Sequence, residues 1–187
     1  MSKAKLLQPD LILGDTILGL TPNILEYYHI QGLVLDVDET LVPLKKAHIS
    51  EELRLWVDSI RPNTPIWLVS NNLSENRIGR IAKSLDLPYL LGAVKPSRRK
   101  LRQAIQAMEL PNARVAMVGD RLFTDVLAGN RLGMFTILVQ PMVDPAIATR
   151  SYPIHNFEVW LSQKLGVSLM SPKHKFTKHD KRKRNET

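Results

Sequence analysis

The stretch Leu33-Val-Leu-Asp-Val-Asp-Glu-Thr-Leu41 decides the fold. Three branched apolar residues in a row end on two closely spaced aspartates. A run that is apolar at every position, not at alternate ones, suits a strand covered on both faces, as in a parallel sheet. Three more runs share this character: Pro65-Ile-Trp-Leu-Val-Ser70, Ala113-Arg-Val-Ala-Met-Val-Gly-Asp120 and Met134-Phe-Thr-Ile-Leu-Val139.

The segments between the runs have helical period. Leu53, Trp56, Val57 and Ile60 recur at i, i+3, i+4 and i+7, with Ser50 as N-cap and Glu51 and Glu52 in the first turn. Ile78, Ile81, Ala82 and Leu85 repeat the spacing. So do Leu101, Ala104, Ile105 and Met108, where Pro96 suits the helix start. Phe157, Trp160, Leu161 and Leu165 form a last stripe, ended by Gly166. Strand–helix alternation implies right-handed βαβ units and an α/β doubly wound parallel sheet in three α/β/α layers. Residues 1–168 are expected to form a single domain. Its first 30 residues read as short helices packed on the sheet, with a membrane-touching amphipathic segment as the rival reading.

Composition narrows the class. The chain has 187 residues, 44% hydrophobic and 24% charged, which excludes collagen-like, low-complexity and wholly disordered proteins. It has no cysteine, so disulfides, thiolate metal sites and a cysteine nucleophile are out. The five histidines show no metal-ligand spacing, and no Walker or Rossmann glycine fingerprint occurs. No stretch approaches the roughly 18 apolar residues of a spanning helix. Leu11-Ile-Leu-Gly14 lies between Asp10 and Asp15 and does not read as a signal peptide. The expectation is a cytoplasmic protein, at most peripheral to the inner face of a membrane. Net charge is +8, and residues 171–187 hold seven basic residues against Asp180 and Glu186. Residues 169–187 are read as a disordered basic tail, either solubilising or in contact with anionic lipid or RNA.

The ends of the runs carry the chemistry. The first ends at Asp36 and Asp38, the second at Ser70 and Asn71, and the third at Asp120, with Asp125 five residues on. Lys95 lies between the second and third, so that Asp36, Ser70, Lys95 and Asp120 are separated by 34, 25 and 25 residues. Each alone is an ordinary turn residue. In parallel neighbouring strands the ordered set converges on one sheet edge, where doubly wound folds bind ligands. Clustered carboxylates repel unless a cation joins them, and oxygen ligands without His or Cys indicate Mg²⁺. Mg²⁺, Lys95 and the Ser70 hydroxyl would make a phosphoryl pocket. Asp36 then suits attack on phosphorus to form an aspartyl-phosphate, and Asp38 suits proton transfer to the leaving oxygen and from the hydrolytic water.

These residues resemble the four motifs of the haloacid dehalogenase (HAD) superfamily of phosphatases: Leu33–Leu41, Trp67-Leu-Val-Ser70, Lys95-Pro96 and Val118-Gly-Asp-Arg-Leu-Phe-Thr-Asp125. The resemblance implies Asp36 as nucleophile, Asp38 as acid/base, and Ser70 and Lys95 on phosphate. Thr40 and Asn71 are taken with the phosphate-binding set. It also implies Mg²⁺ held by Asp36, Asp120 and the main-chain carbonyl of Asp38, with Asp125 supporting. Ser70-Asn-Asn72, Ala93-Val-Lys-Pro96 and Gly119–Arg131 further resemble the YqeG family of subfamily IIIA. Its mitochondrial relatives dephosphorylate phosphatidylglycerophosphate, so a role in phosphatidylglycerol synthesis is the favoured implication. Glu39 departs from the family's more common Asn, and its charge either weakens phosphate binding or points to solvent.

Neither the Asp36–Ser70 gap nor the Ser70–Lys95 gap is long enough for a cap domain. An open site suits a lipid headgroup, a phosphoprotein or a nucleic-acid end better than a small metabolite. Arg98, Arg99, Lys100 and Arg102 follow Lys95, near the expected mouth. They read as a solvated face or as a surface for phosphate or an anionic bilayer. The rivals to a lipid phosphatase are the same chemistry on a phosphoprotein or nucleotide, and a non-catalytic RNA- or ribosome-associated scaffold.

Overall fold

A computed structural model describes residues 3–43 and 48–142. In chain order the elements are helix α1 (Lys3–Leu7), strand β1 (Leu11–Ile12), a 3₁₀ turn, helix α2 (Pro22–Tyr27), strand β2 (Gly32–Leu35), helix α3 (Glu51–Ile60), strand β3 (Ile66–Val69), helix α4 (Glu75–Leu85), strand β4 (Tyr89–Leu90), helix α5 (Arg99–Met108), strand β5 (Val115–Gly119), a π-helical turn (Leu122–Val126) running into helix α6 (Leu127–Asn130), and strand β6 (Phe135–Leu138). The stripe of residues 157–165, the tail and residues 44–47 lie outside the described residues.

The six strands of the described residues are parallel, in the order β1-β6-β5-β2-β3-β4. The chain leaves β2 toward β3 and β4, then crosses back to β5 and β6. The switch point therefore lies between β2 and β5, where Leu35 pairs with Val118. Asp36 continues that register, its N–H donating to Val118 O at 2.9 Å.

The continuous apolar runs bury both faces. Leu33 and Leu35 pack with α3, α4 and the N-terminal segment. Val34, Val115 and Met117 pack on the other face with α5 and Ala128 of α6. This makes the three-layer α/β/α architecture. The Ser50 hydroxyl caps α3 by accepting from Leu53 N at 3.2 Å. Gly129 lets α6 lie against the sheet: a Cβ there would stand 2.6 Å from Thr136 Cγ2.

Two features differ from the sequence reading. Leu11 and Ile12 add an edge strand, pairing with Ile137 and Leu138, and the Trp56 indole donates to Leu20 O at 2.7 Å. Two residues are too few for a period of 2 to be seen in sequence. In addition, α5 begins at Arg99, not at Pro96. The chain at Ala93–Lys95 is drawn toward the end of β3, where Ala93 N donates to Ser70 O at 3.0 Å, and the helix starts only after that turn.

Candidate active site

The loops after β2 and β5 bring three carboxylates together. Asp36, Asp120 and Asp125 are buried, and each offers an oxygen within 4.8 Å of the others. The Lys95 ammonium, itself buried, reaches Asp36 Oδ1 at 2.5 Å and Asp125 Oδ1 at 2.7 Å. Thr40 donates its buried hydroxyl to Asp120 Oδ1 at 3.2 Å.

Gly119 makes this packing feasible. A Cβ there would lie 2.3 Å from Asp125 Oδ2 and 2.7 Å from its Cβ. The main chain of β5 and the π-helical turn can approach so closely only with glycine at this position.

Asp38 stands apart from the carboxylate cluster. The Ser70 hydroxyl donates to its Oδ2 at 3.2 Å, and Arg77 Nη1 of α4 donates to its Oδ1. Arg77 also reaches Pro43 O at 3.2 Å. Asn71 holds the Lys95 main chain, accepting from Lys95 N at 2.7 Å and donating to Lys95 O at 3.3 Å. The side chains of Asp36, Lys95, Asp120 and Asp125 thus share one cluster. Asp38 and Ser70 form a second pair beside it, with Thr40 on Asp120 and Asn71 on the loop that carries Lys95.

Two arginines were not singled out in the sequence. Arg77 lies beside the buried stripe of α4, and nothing local marks its partner. Arg121 Nη2 donates to Glu39 Oε2 at 2.8 Å, so that Glu39 neither faces solvent nor stands alone. Opposite charges in two motifs that end neighbouring strands were the signal that could have paired them.

The electrostatics of the cluster would favour an added positive charge. Burial pushes the Asp36 carboxyl up to about 7, against the pull of Lys95, with Asp125 and Asp38 adding to the rise. Burial pushes Asp120 up to about 8, with Asp125 and Asp36 adding to it. Burial also opposes the Lys95 ammonium, but Asp125 and Asp36 outweigh it and push its pKa up. Among the described residues, the Lys95 ammonium contacts Asp36 and Asp125, and Asp120 has as cation only the Arg121 guanidinium, 3.8 Å away. Among the described residues, the Lys95 ammonium at 2.7 Å is the only partner of the buried Asp125 Oδ1. The donors are all hard oxygens, so these residues fit a divalent cation.

A HAD-hydrolase-like family model matches residues 93–152. The protein named probable phosphatase YqeG of Bacillus subtilis is 34% identical over 127 residues, covering 67% of this chain and 73% of that one. The chloroplastic phosphatidylglycerophosphate phosphatase 1 of Chlamydomonas reinhardtii is 34% identical over 162 residues, covering 80% of this chain. This chain spans 60% of the algal protein's length. A solved structure of a HAD family hydrolase from Streptomyces avermitilis aligns with a TM-score of 0.49 at 18% identity, over 73% of this chain and 88% of that one. On the YqeG match and the shared motifs, this chain belongs to the YqeG family of HAD phosphatases.

Proposed function

We propose that this phosphatase is a Mg²⁺-dependent phosphomonoesterase that works through an aspartyl-phosphate on Asp36. Its favoured substrate is phosphatidylglycerophosphate at the inner face of a membrane. The observation that carries the chemistry is the Lys95 ammonium set between Asp36 and Asp125, beside Asp120. A cation fixed against a carboxylate can receive phosphoryl oxygens without repelling them.

Asp36, Asp120 and Asp125 would hold or support the metal together with the Asp38 carbonyl. When bound, the ion would offset the repulsion between an anionic nucleophile and an anionic ester. An Asp36 oxygen attacks phosphorus as the bond to the leaving oxygen breaks. Asp38 gives that oxygen its proton. A water then attacks the phosphoryl group, Asp38 takes the water's proton, and the Asp36–phosphorus bond breaks. Lys95 and Ser70 bind the phosphoryl oxygens through both steps. Ser70 is poised for this because its Oγ also accepts from Asn72 N at 3.0 Å, which fixes the side chain. Asn71 keeps Lys95 in place, and Thr40 orients Asp120.

The lipid assignment is supported by the likeness to the algal lipid phosphatase. The open edge adds to it. Among the described residues, Asp36 to Ser70 holds only a turn, α3 and β3, and Ser70 to Lys95 only α4 and β4. Phosphate release from phosphatidylglycerophosphate vesicles, an aryl phosphate, a nucleotide and a phosphopeptide tests the reading, each with and without Mg²⁺. Turnover of the lipid that needs Mg²⁺ is expected. Hydrolysis of the aryl ester with none of the lipid would remove the lipid assignment, and metal-independent turnover would remove the metal.

A further inference from the structure

The two most exposed large apolar side chains among the described residues are Leu73 at 80% and Val94 at 71%. Both stand on the loops that carry the phosphate-binding candidates. Leu73 follows Asn71 by two residues, and Val94 directly precedes Lys95. Hydrogen bonds lace the two loops into one lip. Gly92 N donates to Asn72 O at 3.2 Å, and Lys95 N to Asn71 Oδ1 at 2.7 Å. Leu73 lies over Gly92, where a Cβ would meet its Cδ2 at 2.7 Å.

Val94 also has φ of 49°. A β-branched residue seldom adopts the left-handed region, and its side chain here gains no burial in return. Water gives neither residue any reason to be apolar.

The lip is also cationic. Arg98 Nη1 donates to Arg131 O and Arg131 Nη1 donates to Pro96 O, both at 3.2 Å. Arg99 and Arg102 are exposed on α5, whose first turn holds no acidic residue. None of these four arginines has a carboxylate partner among the described residues. Lys95, Arg77 and Arg121, which point into the site, each have one. Cations at a helix N-terminus oppose the dipole, so this distribution works against folding energetics.

Aliphatic tips on a lip whose guanidinium groups have no carboxylate partner among the described residues match the boundary of an anionic bilayer. The tips enter the acyl edge, and the cations meet lipid phosphates. Single-stranded nucleic acid would use the cations but stacks its bases on aromatic rings, and residues 70–74 and 91–99 contain none. We propose that the lip of Leu73, Val94, Arg98, Arg99 and Arg131 docks this protein on an anionic bilayer with the active-site mouth toward the lipid. The inference rests on the headgroup-phosphatase reading for its purpose, but its test does not need turnover.

The chain has no cysteine, so Leu73→Cys, Val94→Cys and Asn63→Cys each create one labelling site. Asn63 is exposed in the turn before β3, at the amino ends of the strands, opposite the lip. An environment-sensitive fluorophore at 73 or 94 should shift to the blue on vesicles of phosphatidylglycerol and phosphatidylcholine in equal parts. It should also be quenched by a lipid-borne quencher, whereas the label at 63 should not respond. The triple variant Leu73→Ser, Val94→Asn, Arg99→Glu should bind those vesicles at least tenfold more weakly and keep its turnover of a soluble aryl phosphate. Asn tolerates the Val94 backbone, and Glu suits the first turn of α5, so the fold is retained. A label at 63 that responds as strongly as the one at 73 would overturn the proposal. So would wild-type vesicle affinity in the triple variant. Lip labels that respond in a protein without phosphatase activity would support docking and sink the catalytic reading instead.

Discussion

Glu39 and Arg121 meet at 2.8 Å and tie the loop that follows β2 to the loop that follows β5. Arg121 Nε also comes within 3.8 Å of Asp120 Oδ2. Glu39 therefore draws off part of a cation that would otherwise act on Asp120 alone. Arg121→Ala leaves the mostly buried Glu39 carboxylate without its partner, beside a cluster already short of positive charge. A loss of about 1–3 kcal/mol is expected. The Glu39→Gln, Arg121→Gln double variant should recover part of it. A double-mutant cycle by urea denaturation should give a coupling of about 0.5–3 kcal/mol, and strict additivity would show the pair to be inert.

Asp36→Asn separates a catalytic from a structural role. It should lower turnover by on the order of 10⁴-fold or more, because a carboxamide cannot serve as the nucleophile. The metal-free protein should be at least as stable as the wild type, since the Asp36 carboxylate is disfavoured by burial and by its neighbours. Lys95 keeps Asp125 as partner in the variant. Thermal unfolding with and without Mg²⁺ checks both points. A variant that unfolds outright would make Asp36 structural.

The pH dependence of the metal-free protein has a fixed sign. Aspartates in the unfolded chain titrate near 4. In the folded protein Asp36 and Asp120 are pushed up to about 7 and about 8. The folded state then holds extra protons between roughly pH 4 and 8, so stability from these groups is full below that window and falls as pH rises through it. The proposed Mg²⁺ would bind the deprotonated carboxylates, so its stabilising shift in Tm should be larger at pH 8 than at pH 5. A shift independent of pH would place the ion elsewhere.

Arg77 should act on the reaction through Asp38. It holds one carboxylate oxygen of Asp38 while the Ser70 hydroxyl holds the other. Arg77→Ala should reduce kcat by about 10–100-fold with a smaller change in KM, because Asp38, the proposed proton donor, would lose its position. Arg77→Lys should recover part of the rate. Equal losses in both variants at unchanged kcat would mean that Arg77 serves substrate affinity alone.

Gly119→Ala tests the packing beneath the cluster. The new methyl would meet both the carboxylate and the Cβ of Asp125, so side-chain rotation alone cannot relieve it. A cost of about 1–3 kcal/mol is expected, with weaker Mg²⁺ binding as Asp125 leaves Lys95. Calorimetric titration with Mg²⁺ and urea denaturation read the two effects separately.

Much of this arrangement is legible in the sequence. Continuous apolar runs suit cover on both faces, so Gly32–Asp36, Pro65–Ser70, Ala113–Asp120 and Met134–Val139 read as parallel strands. Their polar ends then had to share one edge, which grouped Asp36, Ser70, Lys95 and Asp120 across 84 residues of sequence. These are consequences of period and order, which a chain carries in itself. The partners of Glu39 and Asp38, the edge strand at Leu11–Ile12 and the exposed lip at Leu73 and Val94 are of another kind. Each depends on which side chains from distant loops come within hydrogen-bond reach, or fail to be covered. The packing of the whole sheet, with Gly119 set against Asp125 and Gly92 under Leu73, decides those distances.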